Sequence, residues 1–322
     1  MPQPNAFPNT NKSPALLILS FATVYILWGS TYLAMRIGVE TFPPFLLPSL
    51  RHFAFGILIF PIMLWKTSKW PTTRQWKTAF VSGSLLCLAN GSVCWAEKRV
   101  PSGIAALIVA TVSLWMVVID WLRPAGIRPT GRVFAGIVTG FAGLVVLISP
   151  AQIIGSDRVN LAGALVLVLA SLSWAAGSVY AKHGVLPESM LIGSAMQSLC
   201  GGAVVLLFAT VTGELRGFHF ADVSFRSWLA LGYLLVFGSL LASPAYLYML
   251  KNASAARAST YAFVNPVVAL FFGWLVADEQ MSLRALVAAG IILGAVILVI
   301  TARQPAAARV QEELASTSTI EA

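Results

Sequence analysis

The chain has 322 residues, of which 58% are hydrophobic and only 10% are charged, and its mean hydropathy is +0.81. Soluble domains carry about 25% charged residues, so this chain has too few charges to cover itself with a hydrated surface. Its net charge of +9 comes from short basic clusters between apolar runs, a pattern typical of membrane topology signals and not of a nucleic-acid-binding face. The composition excludes an ordinary soluble domain and indicates that lipid is the solvent.

Apolar runs of membrane-spanning length recur along the chain with short breaks between them. A helix crosses the hydrocarbon layer in about 20 residues, and its backbone groups must bond within the segment. The alternating polar and apolar residues of a membrane barrel do not occur in this sequence. The sequence therefore predicts an all-α membrane protein with ten transmembrane helices, at about 15–37, 44–65, 78–97, 101–122, 131–149, 161–181, 190–212, 228–250, 256–277 and 282–302.

The first span follows a polar stretch, residues 1–14, whose one charged side chain is Lys12. No small-residue cleavage site follows the apolar run, so we interpret it as a retained span and not as a signal peptide. Residues 303–322 are small and polar, and are predicted to form a disordered tail. Both tails are predicted to be cytoplasmic.

The distribution of Lys and Arg among the loops supports this orientation. The loop between the second and third spans is the clearest case, with Lys66, Lys69, Arg74 and Lys77 and no acidic residue. Loops rich in Lys and Arg stay on the cytoplasmic side. Because the loops on the side of the two termini carry most of these residues, we predict that both termini lie inside the cell.

The two halves of the chain resemble each other. Residues 28–39 in the first span and residues 174–185 in the sixth align with a shared Trp, a basic residue and a closing Gly-Val pair. The fifth and tenth spans share an Ala-Gly pair followed by a further glycine. Five helices per repeat is an odd number, which turns the second copy over relative to the first, as in many secondary carriers. We predict two inverted five-helix repeats, residues 15–149 and 161–302.

Several short motifs, taken in their order and spacing, resemble the EamA-type transporters of the drug/metabolite transporter superfamily. The resemblance covers roughly residues 15–302 and implies a bacterial inner-membrane carrier of ten helices with both termini cytoplasmic. Members of this family export amino acids, other metabolites or toxic compounds. The motifs are LWGSTY at 27–32, FPP at 42–44 with Leu50-Arg51, VPSGIAA at 100–106, SWAAGSVY at 173–180, STYAFVNPVVA at 259–269 and ADE at 277–279.

The fourth span departs from the family pattern in two places. Val112-Ser113 stands where the family often has a proline, and Pro124-Ala125-Gly126 stands where a Gly-Glu pair is usual. The span therefore lacks both the proline that often kinks it in the family and the glutamate of the usual Gly-Glu pair.

Asn265 and Pro266 lie nine to ten residues into the ninth span, about 13–15 Å deep and close to the midplane. Pro266 cannot donate a hydrogen bond to the carbonyl of Ala262. The freed carbonyl and the Asn265 amide predict a polar substrate site, with Pro266 involved in gating. The alternative is a simple kink with Asn265 bonded to a neighbouring helix.

Arg51 lies about seven residues, or roughly 10 Å, inside the outer end of the second span, where a charge normally faces the bundle interior. We interpret it as a candidate ligand of a substrate carboxylate. The alternatives are that it extends outward to the interface or pairs with Glu97. Glu97 ends the third span and is the candidate for gating or proton coupling, unless it is a solvated helix end. The neighbouring His52 is interpreted as a packing residue.

Aromatic rings with a few amides suit an amphipathic organic solute better than an ion. Rings near span ends alternatively form the interfacial belt of a membrane protein. The predicted substrate-binding set is Trp28, Tyr32, Arg51, Asn90, Trp95, Trp174, Tyr180, Tyr261 and Asn265.

The sequence contains no phosphate-binding glycine loop, no metal-ligand cluster and no nucleophile paired with a base, so we predict no enzyme activity, cofactor or metal. It predicts a secondary transporter that exports amino acids or related small metabolites by alternating access. A passive channel and a drug-efflux protein are the alternatives, and a membrane enzyme or receptor is the weakest reading. The predicted partners are a small molecule and the lipid bilayer, with no nucleic acid. A monomer is expected, with a homodimer as the alternative.

Overall fold

A computed structural model describes residues 14–100, 102–124, 126, 128–147, 160–277 and 283–302. Helix is the regular secondary structure of these residues: ten longer segments lie at the positions of the predicted spans, and two short ones, Phe220–Asp222 and Ala255–Ala258, lie between them. The predicted tails lie outside the described residues apart from Pro14. The segments are α1 (Pro14–Gly38), α2 (Leu46–Thr67), α3 (Thr73–Glu97), α4 (Ser102–Ala110 and Val112–Leu122), α5 (Gly131–Leu147), α6 (Leu161–His183), α7 (Met190–Val211), α8 (Phe225–Asn252), α9 (Tyr261–Ala277) and α10 (Leu283–Thr301).

The bundle presents an apolar periphery suited to lipid. Seven of the described helices, α1, α2, α3, α6, α7, α8 and α10, are long and apolar enough to cross a membrane, while α4 and α5 contain shorter apolar helices. Large apolar side chains on these helices are exposed, for example Ile18, Leu161, Leu207 and Leu283. Such side chains would be costly in water but match hydrocarbon, which confirms the prediction of an all-α membrane protein.

The helix pairs repeat between the two halves. Helix α2 packs against α7, and α5 packs against α10. Helix α3 packs against α6 as α8 packs against α1, and α4 packs against α6 as α9 packs against α1. Exchanging the first five helices with the last five therefore maps each of these pairs onto another or onto itself. The two halves therefore form a five-plus-five repeat. Because each half has an odd number of helices, each helix of the second half runs in the opposite direction to its counterpart in the first.

The two ends of the bundle are tied by different polar contacts. We call the end where α1 begins and α10 ends the terminal face, and the opposite end the distal face. At the terminal face, Arg257 Nη2 donates to the carbonyl of Ala302 across 3.1 Å. At the distal face, the Glu214 carboxylate accepts the backbone N–H groups of Phe45 and Leu46 at the start of α2, at 2.9 and 3.2 Å. These contacts join elements that are far apart in the sequence.

Helix α4 is broken at Thr111 although it lacks the proline common in the family. The N–H and the hydroxyl of Thr111 both donate to the carbonyl of Ile108, at 3.0 and 2.6 Å. Ser171 Oγ on α6 adds a third bond to this carbonyl, at 3.2 Å. The side chains satisfy the carbonyl that the break exposes, so hydroxyl groups replace the expected proline.

Two helices contain π-helical turns, Val24–Trp28 in α1 and Leu234–Leu241 in α8, and the two turns contact each other. A π-helical turn widens the helix and is frequent at functional sites. With the break in α4, three of the described helices depart from regular α-helix geometry, and α9 carries Pro266 inside a continuous α-helix.

Candidate functional site

The described residues line a cavity between the two halves whose empty space, open solvent included, is about 600 Å³. Helices α1, α2, α3, α4, α6 and α9 line it. It lies nearer the distal face, because most of these helices contribute residues from their distal portions. Seven of the nine predicted substrate-binding residues line this cavity, namely Trp28, Tyr32, Arg51, Asn90, Trp174, Tyr261 and Asn265.

The structure does not bring Trp95 and Tyr180 to the cavity. The ring of Trp95 packs under the guanidinium of Arg99, 3.8 Å from its Cζ, near the end of α3. Tyr180 lies on α6 and is 38% exposed. Both residues were predicted because they are aromatic residues within spans, but they lie on other faces of their helices. Glu97 also lies outside the lining, at the distal end of α3, and its Oε2 is buried with no hydrogen-bond partner among the residues that the structure describes.

Four rings, Trp28, Trp174, Tyr246 and Tyr261, form an aromatic floor on the terminal side of the cavity. The Trp28 ring centroid lies 5.5 Å from that of Trp174, 4.6 Å from Tyr246 and 5.3 Å from Tyr261. The edge-to-face contacts of Trp28 with Trp174 and Tyr261 are a favoured geometry for aromatic pairs. The Tyr246 hydroxyl hydrogen-bonds to Ser178 Oγ across 2.6 Å. The floor is thus a set of packed aromatic rings, held in place by ring–ring contacts and by the hydrogen bond of Tyr246 to Ser178.

Beneath the floor the bundle is closed toward the terminal face. An apolar cluster that includes Val24, Met116 and Met249 fills the space between α1, α4, α6, α8 and α9. At the ends of α4 and α6, Asp120 Oδ1 lies 2.6 Å from His183 Nε2 and 2.9 Å from Arg123 Nε. The cavity therefore has a thick barrier on its terminal side.

Arg51 is a buried cation without a protein anion. Its side chain is 3% exposed and lines the cavity. Its Nε donates to Ser239 Oγ across 2.9 Å. Among the described residues, no carboxylate oxygen lies within 4.0 Å of the guanidinium, so it does not pair with Glu97. Its burial also rules out extension to the interface. A desolvated charge without a counterion is costly, which favours an anionic ligand in the cavity.

Asn265 supplies a hydrogen-bond acceptor in the same cavity. The residue is 2% exposed, and its Oδ1 has no hydrogen-bond partner in the described part of the chain. An amide oxygen is costly to leave unpaired. The cavity therefore offers a guanidinium cation and a neutral acceptor to one bound molecule.

The sequence interpretation missed the residues that hold this site from behind. Ser239 is fully buried in α8 and bonds to Arg51, and the carbonyl of Gly238 accepts the Nε1–H of Trp28 at 3.2 Å. Thr31 and Ser171 also line the cavity. The available signal was the Gly-Ser pair inside an otherwise apolar stretch of α8, and small polar residues are too common in membrane helices for that signal to stand out.

Comparison with known proteins identifies the family of the chain. Residues 15–149 and residues 161–301 each match the EamA-like transporter family. The chain is 40% identical over 278 residues to the "Uncharacterized inner membrane transporter YedA" of Escherichia coli (strain K12), and the alignment covers 86% of this chain and 88% of that protein. It is 26% identical over 291 residues to the "Uncharacterized transporter YoaV" of Bacillus subtilis (strain 168), covering 88% and 94%.

A solved structure named "Crystal structure of protein" superposes with a TM-score of 0.69 at 19% identity, covering 88% of this chain and 97% of that chain. At this identity the likeness shows a shared fold. The relatives carry transporter names, and the family is one of transporters and not of enzymes. Two matched halves of a ten-segment helical bundle confirm the resemblance drawn from the sequence motifs, and the chain belongs to the EamA-like transporter family of the drug/metabolite transporter superfamily.

Proposed function

We propose that this transporter exports an amino acid or a closely related small metabolite across the bacterial inner membrane by alternating access. The single observation that carries the proposal is the buried Arg51 guanidinium, which lines the cavity with no carboxylate from the described ranges within 4.0 Å. A carboxylate is the metabolite group that an arginine fork matches in geometry and charge.

The remaining polar groups of the cavity support an amine-bearing acid over a simple acid. Asn265 Oδ1 accepts no hydrogen bond from the described part of the protein, and an ammonium group supplies donors. The faces of the aromatic floor attract a cation as well. The two ends of a small zwitterion thus have complementary groups on α2 and α9, while its side chain meets the apolar wall formed by residues such as Val93 and Val109.

An efflux measurement with proteoliposomes tests this proposal. Vesicles are loaded with an equimolar mixture of the twenty common amino acids and released solutes are measured by mass spectrometry. We expect saturable efflux of at least one amino acid from vesicles with the wild type, and at least a tenfold loss for Arg51→Gln, which removes the charge. Arg51→Lys keeps the charge without the planar fork and should recover only part of the rate. Rates that never saturate would instead favour a passive channel.

We also propose that Glu97 couples export to protons. Its Oε2 is buried without a partner at the distal end of α3, outside the cavity lining. A carboxyl group in such a place is suited to bind and release a proton as its surroundings open and close.

The coupling proposal predicts that an imposed pH gradient accelerates efflux by the wild type and leaves Glu97→Gln unaffected, because Gln cannot exchange a proton. Efflux down a substrate gradient should continue in this variant. A wild type that responds to no pH gradient would remove proton antiport from the account.

A further inference from the structure

The π-helical turn of α8, Leu234–Leu241, lies directly behind the cavity although α8 contributes no residue to the described lining. This turn hydrogen-bonds to Arg51, which is the charged residue of the cavity, and to Trp28, which is part of the aromatic floor. The hydroxyl of Ser239 accepts the Nε–H of Arg51 at 2.9 Å, and the carbonyl of Gly238 accepts the Nε1–H of Trp28 at 3.2 Å. Ser243 Oγ also donates to the Gly238 carbonyl, five residues earlier, at 3.0 Å.

The bond to Ser239 limits how Arg51 can hold a carboxylate. A guanidinium binds a carboxylate with two parallel N–H bonds, made either by Nε with one terminal nitrogen or by the two terminal nitrogens together. Ser239 occupies the Nε–H. The second arrangement, through Nη1 and Nη2, is therefore the one that remains for a bidentate ligand.

Gly238 supplies the space that this orientation needs. A Cβ atom at position 238 would lie 2.5 Å from Arg51 Nη2, closer than real Cβ contacts, and 3.0 Å from its Cζ, which is a tight contact. The backbone of the turn therefore lies close to the guanidinium, and even a methyl group there would require Arg51 to shift. Gly238 and Ser239 together restrict where the guanidinium can lie.

We propose that Gly238 and Ser239 are positioning residues that present the two terminal nitrogens of Arg51 to the carboxylate of the substrate. This inference rests on the proposed function and adds the binding mode and the helix that enforces it. It also gives α8 a role in substrate specificity. Because Arg51 and Trp28 both hydrogen-bond to the π-helical turn, a shift of that turn would reorient both side chains in the cavity.

The test compares binding of an acid with binding of its amide. Leucine and phenylalanine, each with its carboxamide, are titrated against purified protein, with quenching of intrinsic tryptophan fluorescence as the signal, since Trp28 and Trp174 line the cavity. Ser239→Ala frees the Arg51 Nε and lets the fork rotate. We expect the affinity for the two acids to fall about tenfold, with the affinity for the two amides unchanged. Ser239→Thr keeps the hydroxyl and should restore most of the preference for the acids.

The matched control is Ser227→Ala. Ser227 is another fully buried serine of α8, and its Oγ donates to the Ile37 carbonyl at 2.9 Å, away from the cavity. The Ser227→Ala variant should bind acids in preference to amides to the same extent as the wild type. Equal weakening of acids and amides by Ser239→Ala would show a merely structural role and overturn the inference. If the wild type binds neither acid better than its amide, or if Arg51→Gln leaves that preference intact, the proposed function itself fails.

Discussion

Glu214 shows how one side chain can link the two halves of the bundle. It follows the end of α7 and accepts the N–H groups of Phe45 and Leu46, which begin α2. The first N–H groups of a helix have no partner within the helix, so a carboxylate here acts as a cap from a distant part of the chain.

Removing this cap should destabilise the distal face. Glu214→Ala leaves two backbone donors without their acceptor, and we expect a loss of about 1–2 kcal/mol in the free energy of unfolding. The measurement is the thermal unfolding midpoint in detergent. Glu214→Gln keeps an acceptor oxygen and serves as the control, with a midpoint close to that of the wild type. Equal midpoints for the Ala and Gln variants would contradict the capping role.

The same residue predicts a pH dependence of stability. Burial raises the pKa of Glu214, and the hydrogen bonds from Phe45 and Leu46 oppose that rise only in part. A raised pKa in the folded state means that folding favours the protonated form, so the contribution of this group declines as pH rises through the folded-state pKa. The midpoint of the wild type should therefore fall, relative to Glu214→Gln, between acid and neutral pH. Parallel pH profiles would contradict this.

Individual site residues differ in how well the sequence predicts them. Arg51 and Asn265 stand out because a charge or an amide deep in an apolar span is rare and needs a reason. Trp95 and Tyr180 were predicted from residue type alone, and residue type does not fix which face of a helix meets the cavity. That rotation depends on how the helices pack, and Trp95 packs against an apolar cluster that includes Phe45.

At the scale of helices, α4 and α9 depart from an uninterrupted hydrogen-bond pattern in different ways. In α9 the cause is Pro266, which lies inside a continuous helix and which the sequence shows directly. In α4 it is Thr111 with help from Ser171, and no sequence rule separates such a threonine from one that only bonds back within a regular helix. Helix existence and order were predictable from hydropathy, whereas the irregular turns depend on contacts between helices.

Restoring a regular helix at Pro266 should slow transport. Pro266→Ala supplies an N–H for the carbonyl of Ala262 and removes the steric cause of a kink. If α9 bends during the transport cycle, we expect an efflux rate several-fold below that of the wild type, with an unfolding midpoint that is unchanged or higher. A variant with wild-type efflux would show that the proline has no gating role.

At the scale of the whole molecule, the interlocked halves place one cavity at the interface between the repeats. The barrier toward the terminal face combines the apolar cluster beneath the aromatic floor with the contacts of Asp120 to His183 and Arg123. Alternating access would require these contacts to part while the distal ends of the helices approach each other. The bias of Lys and Arg supports our proposal that the terminal face is cytoplasmic, and reporter fusions at both ends that fail to read as cytoplasmic would reverse it.

The most direct test of the account is a structure of the protein bound to the amino acid that the efflux experiment identifies. The account predicts that the carboxylate lies on Nη1 and Nη2 of Arg51, with the ammonium group within hydrogen-bond distance of Asn265 Oδ1. A ligand bound outside the cavity between the two repeats, or one bound inside it with its carboxylate away from Arg51, would contradict the central claim.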